Sequence, residues 1–448
     1  MIFEYSDSRK QEVENEIIIL ENGKVSSFNK SSSHGTGTRV FYKNAWGFAS
    51  STNPDDKNKC HETALNIAKF RSKLIKGSRE INAEKIKGSE KTKFKINPFD
   101  VEASEKIKLM KRIESQLKKE SFVKSTQVFF TASNSRILFE NSAGSEINQD
   151  FTATTLGFFV TARTGSVIQF DFARISKRCG FEIADEFDVE SRCRKSIEKL
   201  KRLLNAGHAR PGKYPVVLDG GMTGLFFHEA VGHACEADEH MKKMSFMNAK
   251  TGTKIASECV TVSDPGLFEN SSSSYMYDDE GVKSTNTELI KKGVVVGRLH
   301  SIDTASYYGE KPNGHGRAMG FSYFPIPRMS NIMLKQGSLS NEELFEGIKK
   351  GYYVKDWRAG EVDPETGRFV YSCSEAFEII NGKLGKPVRD VVLSGDAMKT
   401  LKSIDGVGRN FDKNFSGGHC GKEDQGMLPS NHFAPHIRVK EAIVGGRD

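Results

Sequence analysis

The stretch FFHEAVGHACE, residues 226–236, places His228, Glu229 and His233 in the pattern H-E-x-x-x-H, one residue longer than the H-E-x-x-H of zinc-peptidase helices. On an ideal α-helix, residues i and i+4 lie about 40° apart around the axis, whereas i and i+5 lie roughly 140° apart. Two imidazoles five places apart therefore cannot share an ion on regular α-helix. A single π-turn absorbs the extra residue and restores a common face. Gly232, immediately before His233, is the residue that best tolerates such a distortion. The spacing predicts a π-bulge, a kink or a helix end between Glu229 and His233.

A hydrolytic zinc site needs neutral imidazoles to hold the ion, a carboxylate to take a proton from water, and an open coordination position. His228 and His233 supply the imidazoles and Glu229 the carboxylate, so a third ligand must come from elsewhere in the chain. Cys420 lies in FSGGHCGKEDQG, where Gly417, Gly418 and Gly421 suit a tight loop approaching a buried ion, and thiolate is a good zinc ligand. The alternatives at this point are an ordinary loop cysteine, or His419 as the ligand instead. Glu236, one turn past His233, can ligate the ion, orient His233, or face solvent as a helix acid. His432 and His436 have i, i+4 spacing, but Pro435 between them argues against a shared helix face.

With 448 residues the chain is long enough for two domains, expected at 1–208 and 209–448. The first half mixes helices with mostly antiparallel strands, an α+β arrangement. NEIIILENGKVSSFNKSS carries Asn22-Gly23 between two strand-like runs, a hairpin signal. HETALNIAKFRSKLIKG has helical spacing up to a glycine, Gly77, that can act as a C-cap. In the lysine-rich stretch near 103–120, Ile107, Met110, Ile113 and Leu117 form one apolar stripe, so the lysines read as a solvated face. DVESRCRKSIEKLKRLLNAG reads as a further helix. After proline and glycine near 211, the texture changes to short strands between glycine and proline turns. KIASECVTVSD, GVVVGRLHSID and RFVYSCSEAFEIINGKLGKPVRDVVLSG are the strand runs, and NEELFEGIKKG a helix. The second half is thus expected to form a mainly antiparallel, barrel-like sheet carrying the metal-binding helix.

Hydrophobic residues at 37% and charged residues at 28% suit a soluble globular chain, and no apolar run approaches bilayer length. Acidic residues near the start, where a secretory signal would be basic, point to the cytoplasm. Seven cysteines without C-x-x-C spacing predict reduced, mostly buried thiols rather than a disulfide framework. The net charge of +8 raises nucleic-acid binding, but the lysines are dispersed rather than gathered around aromatic residues.

From FFHEAVGHACEAD onward, through YMYDDEGVKSTNTELIKKGVVVG, NGHGRA, PIPRMSNIML and GGHCGKEDQGMLP to the closing VGG, the chain resembles the TldD/PmbA family, in its TldD branch. The opening ENGKVSSFNKSSSHGTGTRVFYKNAWGFAS is similar as well. The resemblance implies a zinc-dependent peptidase acting on short or unfolded peptides. It implies a cleft closed by dimerisation, as a homodimer or with a related motif-lacking subunit, and a substrate backbone added alongside a strand. Residue by residue it implies His228, His233 and Cys420 as metal ligands and Glu229 as the catalytic glutamate. Ile332 stands where relatives usually carry threonine, which leaves the metal residues untouched. The DDEG stretch at 278–281 is expected either near the cleft or as an acidic surface turn. Two competing readings are a non-catalytic partner subunit and a nucleic-acid-associated regulator.

Overall fold

Alternating side chains and the Asn22-Gly23 turn build a long antiparallel hairpin from β1 (Tyr5–Glu21) and β2 (Lys24–Tyr42). Both turn residues adopt left-handed φ, 48° and 90°, as a tight hairpin of this hand requires. The computed structural model describes residues 3–247, 251–412 and 418–446. The chain continues through β3 (Ala45–Ser51), α1 (Lys57–Ser72), β4 (Lys87–Lys91), α2 (Ala103–Leu117), β5 (Val123–Asn141), β6 (Glu146–Thr164) and β7 (Val167–Lys177). Their sheet runs β3-β2-β1-β5-β6, with β4 and β7 both paired to β6.

One face of that sheet is covered by α2 and by the helix Val189–Leu204, whose start is capped by Asp188 accepting from the Ser191 amide. Met110, Ile113 and Leu117 are fully buried against Val128, Phe130, Leu156 and Phe158, as the apolar stripe predicts. The lysines of α2 are not all solvated, however. Lys106 is fully buried and ion-pairs with Glu16 of β1, so the helix is tied to the sheet through a charge that the periodicity does not disclose. Helix α1 also ends earlier than expected: its C-cap is Lys73, not Gly77.

In the second half, five strands close on themselves. Gly212–Leu218 pairs with Lys350–Val362, that strand with Arg368–Ile380, the next with Val392–Asp396, which pairs with Gln425–Gly445, and this last strand returns to Gly212–Leu218. All junctions are antiparallel except the first. Closure removes sheet edges and leaves an interior filled by side chains. Gln425–Gly445 is long enough to carry three more strands along its length: Asn331–Leu334, Ile404–Asp412 and Gly418–Lys422. The expected strands at KIASECVTVSD and GVVVGRLHSID are reduced to Val262–Pro265 and Val294–Val295, the second followed by a helix, Ile302–Tyr308, with a Ser301 capping box. NEELFEGIKKG is helical only over Asn341–Phe345.

The DDEG stretch is not a surface turn. Asp278 and Glu280 are buried. Asp278 accepts from the amides of Glu280, Val282 and Gly316. Glu280 pairs at 2.6 Å with Arg39 of β2, which also binds Asp7 of β1. Gly281 has φ of +71°, and a Cβ there would lie 2.3 Å from the Phe139 ring, so glycine is required twice over. The stretch locks the N-terminal sheet to the second half of the chain.

Candidate metal centre

The strand Gly212–Leu218 runs into the helix Gly220–Phe227 through Asp219, whose carboxylate accepts from the Met222 amide at 2.9 Å and caps the helix. This helix is apolar almost all round, and all but Gly221 of it is buried, as a core helix must be. Gly224 lets His432 approach: a Cβ there would lie 2.3 Å from His432 Cδ2.

Regular α-helix stops at Phe227. Residues His228–Gly232 form a π-turn, His233–Cys235 a 3₁₀ turn, and at Glu236 the backbone becomes extended. The departure from α-helix thus falls where the five-residue spacing demands it. Gly232 is not there for conformational freedom, since its φ is −57°. Its role is packing: a Cβ would lie 1.9 Å from Met329 Sδ.

The π-turn brings the imidazoles of His228 and His233 together at right angles, with ring centroids 5.2 Å apart. Cys420 joins them from the strand Gly418–Lys422, so the thiol sits on a strand rather than in the tight glycine loop expected; Gly417 lies outside the described residues. One donor atom each from His228, His233 and Cys420 lie within 4.8 Å of one another. Cys420 Sγ is 3.1 Å from His233 Nε2. His419, the alternative ligand, alternates to the other side of the strand and is exposed. Burial opposes ionisation of Cys420, but the two histidines outweigh it and lower its pKa to about 4. Thiolate is the form that binds metal.

Behind the ligand atoms lies a chain of buried charge. His233 donates from Nδ1 to Glu236 Oε2 at 2.9 Å, which turns Nε2 toward Cys420. Glu236 is fully buried; burial disfavours its charge, yet Lys422 and His233 prevail and hold its pKa at about 2. Lys422 Nζ lies 3.1 Å from Glu236, 2.6 Å from Asp238 and 3.5 Å from Glu239. Glu236 therefore orients His233 and is itself held by Lys422, an arrangement in which a carboxylate fixes the tautomer of an imidazole. The buried guanidinium of Arg328 donates to the Cys420 carbonyl and positions the strand.

Glu229 is half-buried on the π-turn, and its charge contributes, after burial, to raising the phenol pKa of Tyr371. Tyr371 Oη is buried without a hydrogen-bond partner among the described residues. His432 lies 5.9 Å, ring to ring, from His228. Burial first, then His228 and Arg174, lower its pKa to about 3, so it stays a neutral imidazole beside the cluster. Lys422, Arg328, Tyr371 and His432 were not singled out as site residues from sequence. Lys422 carries a local signal, its place two residues after Cys420, and His432 carries its i, i+4 spacing with His436, though Pro435 argues against a shared helix face.

The donor set fits zinc: one thiolate and two imidazoles are its preferred ligands, and three protein ligands leave the fourth tetrahedral position open. Nδ1 of His228 is a buried ring nitrogen with no hydrogen-bond partner among the described residues. A second acidic group, Asp238, Glu239 and Glu423, is neutralised by Lys422 and Lys242.

Fold and site together define a class. Family models for the PmbA/TldA metallopeptidases match residues 7–69 as domain 1, 96–204 as the central domain and 211–446 as the C-terminal domain. The chain belongs to this metallopeptidase family, the one its motifs resemble. Among its relatives, a metalloprotease of Methanothermobacter thermautotrophicus is 37% identical over 99% of this chain and 96% of its own. A zinc metalloprotease TldD homolog of Saccharolobus solfataricus is 29% identical over 99% of this chain and 96% of its own. The crystal structure of TldE from Thermococcus kodakarensis shares the fold, with a TM-score of 0.74 at 20% identity, covering 99% of this chain and 97% of that one.

Proposed function

We propose that this chain is a zinc-dependent peptidase hydrolysing short or unfolded peptides, with His228, His233 and Cys420 as ligands and Glu229 as general base and acid. The observation that carries the reading is the convergence of one sulfur and two imidazole nitrogens within 4.8 Å, beside a half-buried glutamate. When bound, zinc supplies Lewis acidity and an open position for water or a substrate carbonyl. Glu229 takes the proton from the attacking water and delivers it to the departing amine nitrogen. Glu236 holds His233 in the ligating tautomer, and Lys422 keeps Glu236 ionised. Tyr371, whose hydroxyl has no partner among the described residues and lies near Glu229, can donate to the oxygen on which charge develops.

Strand addition of the peptide is supported by the strand Gly418–Lys422, which has a single strand partner among the described residues. We place the protein in the cytoplasm, as a homodimer or paired with a related motif-lacking subunit; no described helix is long and apolar enough to cross a membrane. The test joins zinc quantification to a peptide-library digest on the wild type and on Glu229→Gln. One zinc per chain, with cleavage that disappears in the variant, is expected. A chain that binds no zinc and shows cleavage only together with an active relative belongs instead to the partner-subunit reading.

A further inference from the structure

A cavity of about 800 Å³ lies between β7, the helix Val189–Leu204 and the barrel, and His432 forms part of its wall. Because the His432 ring is 5.9 Å from that of His228, a single imidazole separates this cavity from the metal ligands. Two of the cations around it are paired: Lys199 bonds Asp171 at 2.8 Å, and Arg202 bonds Glu375 at 2.8 Å. Arg174 is not. It projects from β7 into the same cavity, makes no side-chain hydrogen bond or ion pair among the described residues, and has a buried Nε without a partner. Burial alone lowers its pKa, with no carboxylate acting in the other direction. A guanidinium in such a position carries a desolvation cost that an anion would remove, and its planar fork matches a carboxylate with two parallel bonds.

Phe172 stands two residues before Arg174 on the same face of β7 and packs edge to face on Trp357 at 6.1 Å, while Trp357 continues to His432 at 6.3 Å. The cavity thus offers the guanidinium of Arg174, unpaired among the described residues, beside an aromatic wall that leads to the metal ligands.

We propose that Arg174 binds a carboxylate of the peptide substrate, from its C-terminus or from an acidic side chain, and so sets which peptide bond reaches Glu229. Phe172 and Trp357 receive the apolar side chain next to that carboxylate. The inference rests on the peptidase reading, so its test uses binding as well as turnover.

Affinities are measured by calorimetry on Glu229→Gln protein as purified, with Arg174 present, Arg174→Ala or Arg174→Lys. The ligands are three acetylated tripeptides: Ala-Ala-Phe as free acid, the same sequence as its amide, and Ala-Asp-Phe as its amide. With Arg174 present, a carboxylate-bearing peptide is expected to bind roughly 10- to 100-fold more tightly than the plain amide. Arg174→Ala should abolish that preference without changing amide binding, and Arg174→Lys should restore part of it. Preference for the free acid assigns the terminal carboxylate, and preference for the aspartyl amide assigns a side chain. Equal affinities for all three, equal losses for acid and amide in Arg174→Ala, or no binding of any peptide overturns the proposal. Zinc content and melting temperature of each variant report folding. Arg174-dependent binding without cleavage by the wild-type protein would sink the peptidase reading and leave the carboxylate site; cleavage indifferent to Arg174 would do the reverse.

Discussion

At the scale of single residues, the site depends on a charge relay running from the strand of Cys420 to the π-turn: Lys422, Glu236, His233, Cys420. Each member is costly to bury alone and stable in sequence with its neighbour. Replacing Lys422 by methionine keeps the aliphatic stem but leaves Glu236 buried without its main counter-charge. The expected loss is about 3–5 kcal/mol of unfolding free energy, read from chemical denaturation of the metal-loaded protein. Glu229→Gln differs in kind, since Glu229 supports no neighbour by hydrogen bond among the described residues and is half exposed. That variant should keep its stability and its zinc while turnover falls by roughly 10²–10⁴-fold, measured as peptide hydrolysis alongside metal content. Cys420→Ser should do the opposite first: zinc stoichiometry falls, because a hydroxyl is a poor zinc ligand beside two imidazoles. A Cys420→Ser protein with one tightly held zinc per chain would remove that sulfur from the site.

At the scale of elements, glycine at 232 lets Met329 pack against the π-turn, and the backbone there needs no unusual φ. Gly232→Ala must displace a fully buried methionine side chain, so an overpacking cost of about 1–3 kcal/mol is expected, with weaker zinc retention in a chelator titration. The helix before the turn carries a pH dependence. Asp219 caps it from a buried position, and burial, then the nearby Asp356 carboxylate, raise its pKa to about 7. Unfolded, this carboxyl ionises near pH 4, so the folded state holds a proton that the unfolded chain lacks between about pH 4 and pH 7. Stability from this group is complete below that window and is lost as pH rises through it. Asp219→Asn keeps an oxygen for the Met222 amide and removes the charge; it should match the wild type near pH 4 and exceed it by more than about 1 kcal/mol at pH 8, in denaturant titrations at both values.

Legibility in the sequence also sorts by element. The first hairpin and α2 could be read because pairing and packing there are local, with a turn dipeptide and a 3.6-residue stripe to mark them. The interruption of the metal helix followed from geometry alone. What could not be read is set by partners distant in the chain. Cys420 sits on a strand because Leu428 pairs with it, and Lys106 is buried because Glu16 awaits it. His432 reaches the site because Gly224, more than two hundred residues earlier, leaves room. The DDEG stretch has the composition of a surface turn, and distant partners, Arg39 and the Gly316 and Ile302 amides, make it interior.

At the scale of the molecule, the sheet of the first half and the barrel of the second have separate hydrophobic cores. Apolar packing between them is supplemented by buried charge: Arg39 of β2 holds Asp7 on its own sheet and Glu280 across the boundary, while Arg9 lies 3.5 Å from Asp279. Glu280 also accepts from the amide at the start of the helix Ile302–Tyr308, so the lock reaches into the loops of the second half. Replacing Arg39 by leucine strands two carboxylates in an apolar setting, and breaking a buried network of this kind costs about 3–5 kcal/mol. Lys10, whose pairing with Asp55 at 3.3 Å is exposed, is the control; its alanine variant should stay within about 0.5 kcal/mol of wild type. Because Arg39 touches none of His228, His233 and Cys420, the folded Arg39→Leu protein should still bind one zinc per chain, and the loss should appear only in the denaturation midpoint. If Arg39→Leu instead unfolds at the wild-type midpoint, the two halves are held together by their apolar contacts, and the DDEG carboxylates are tolerated in the interior by their backbone hydrogen bonds alone.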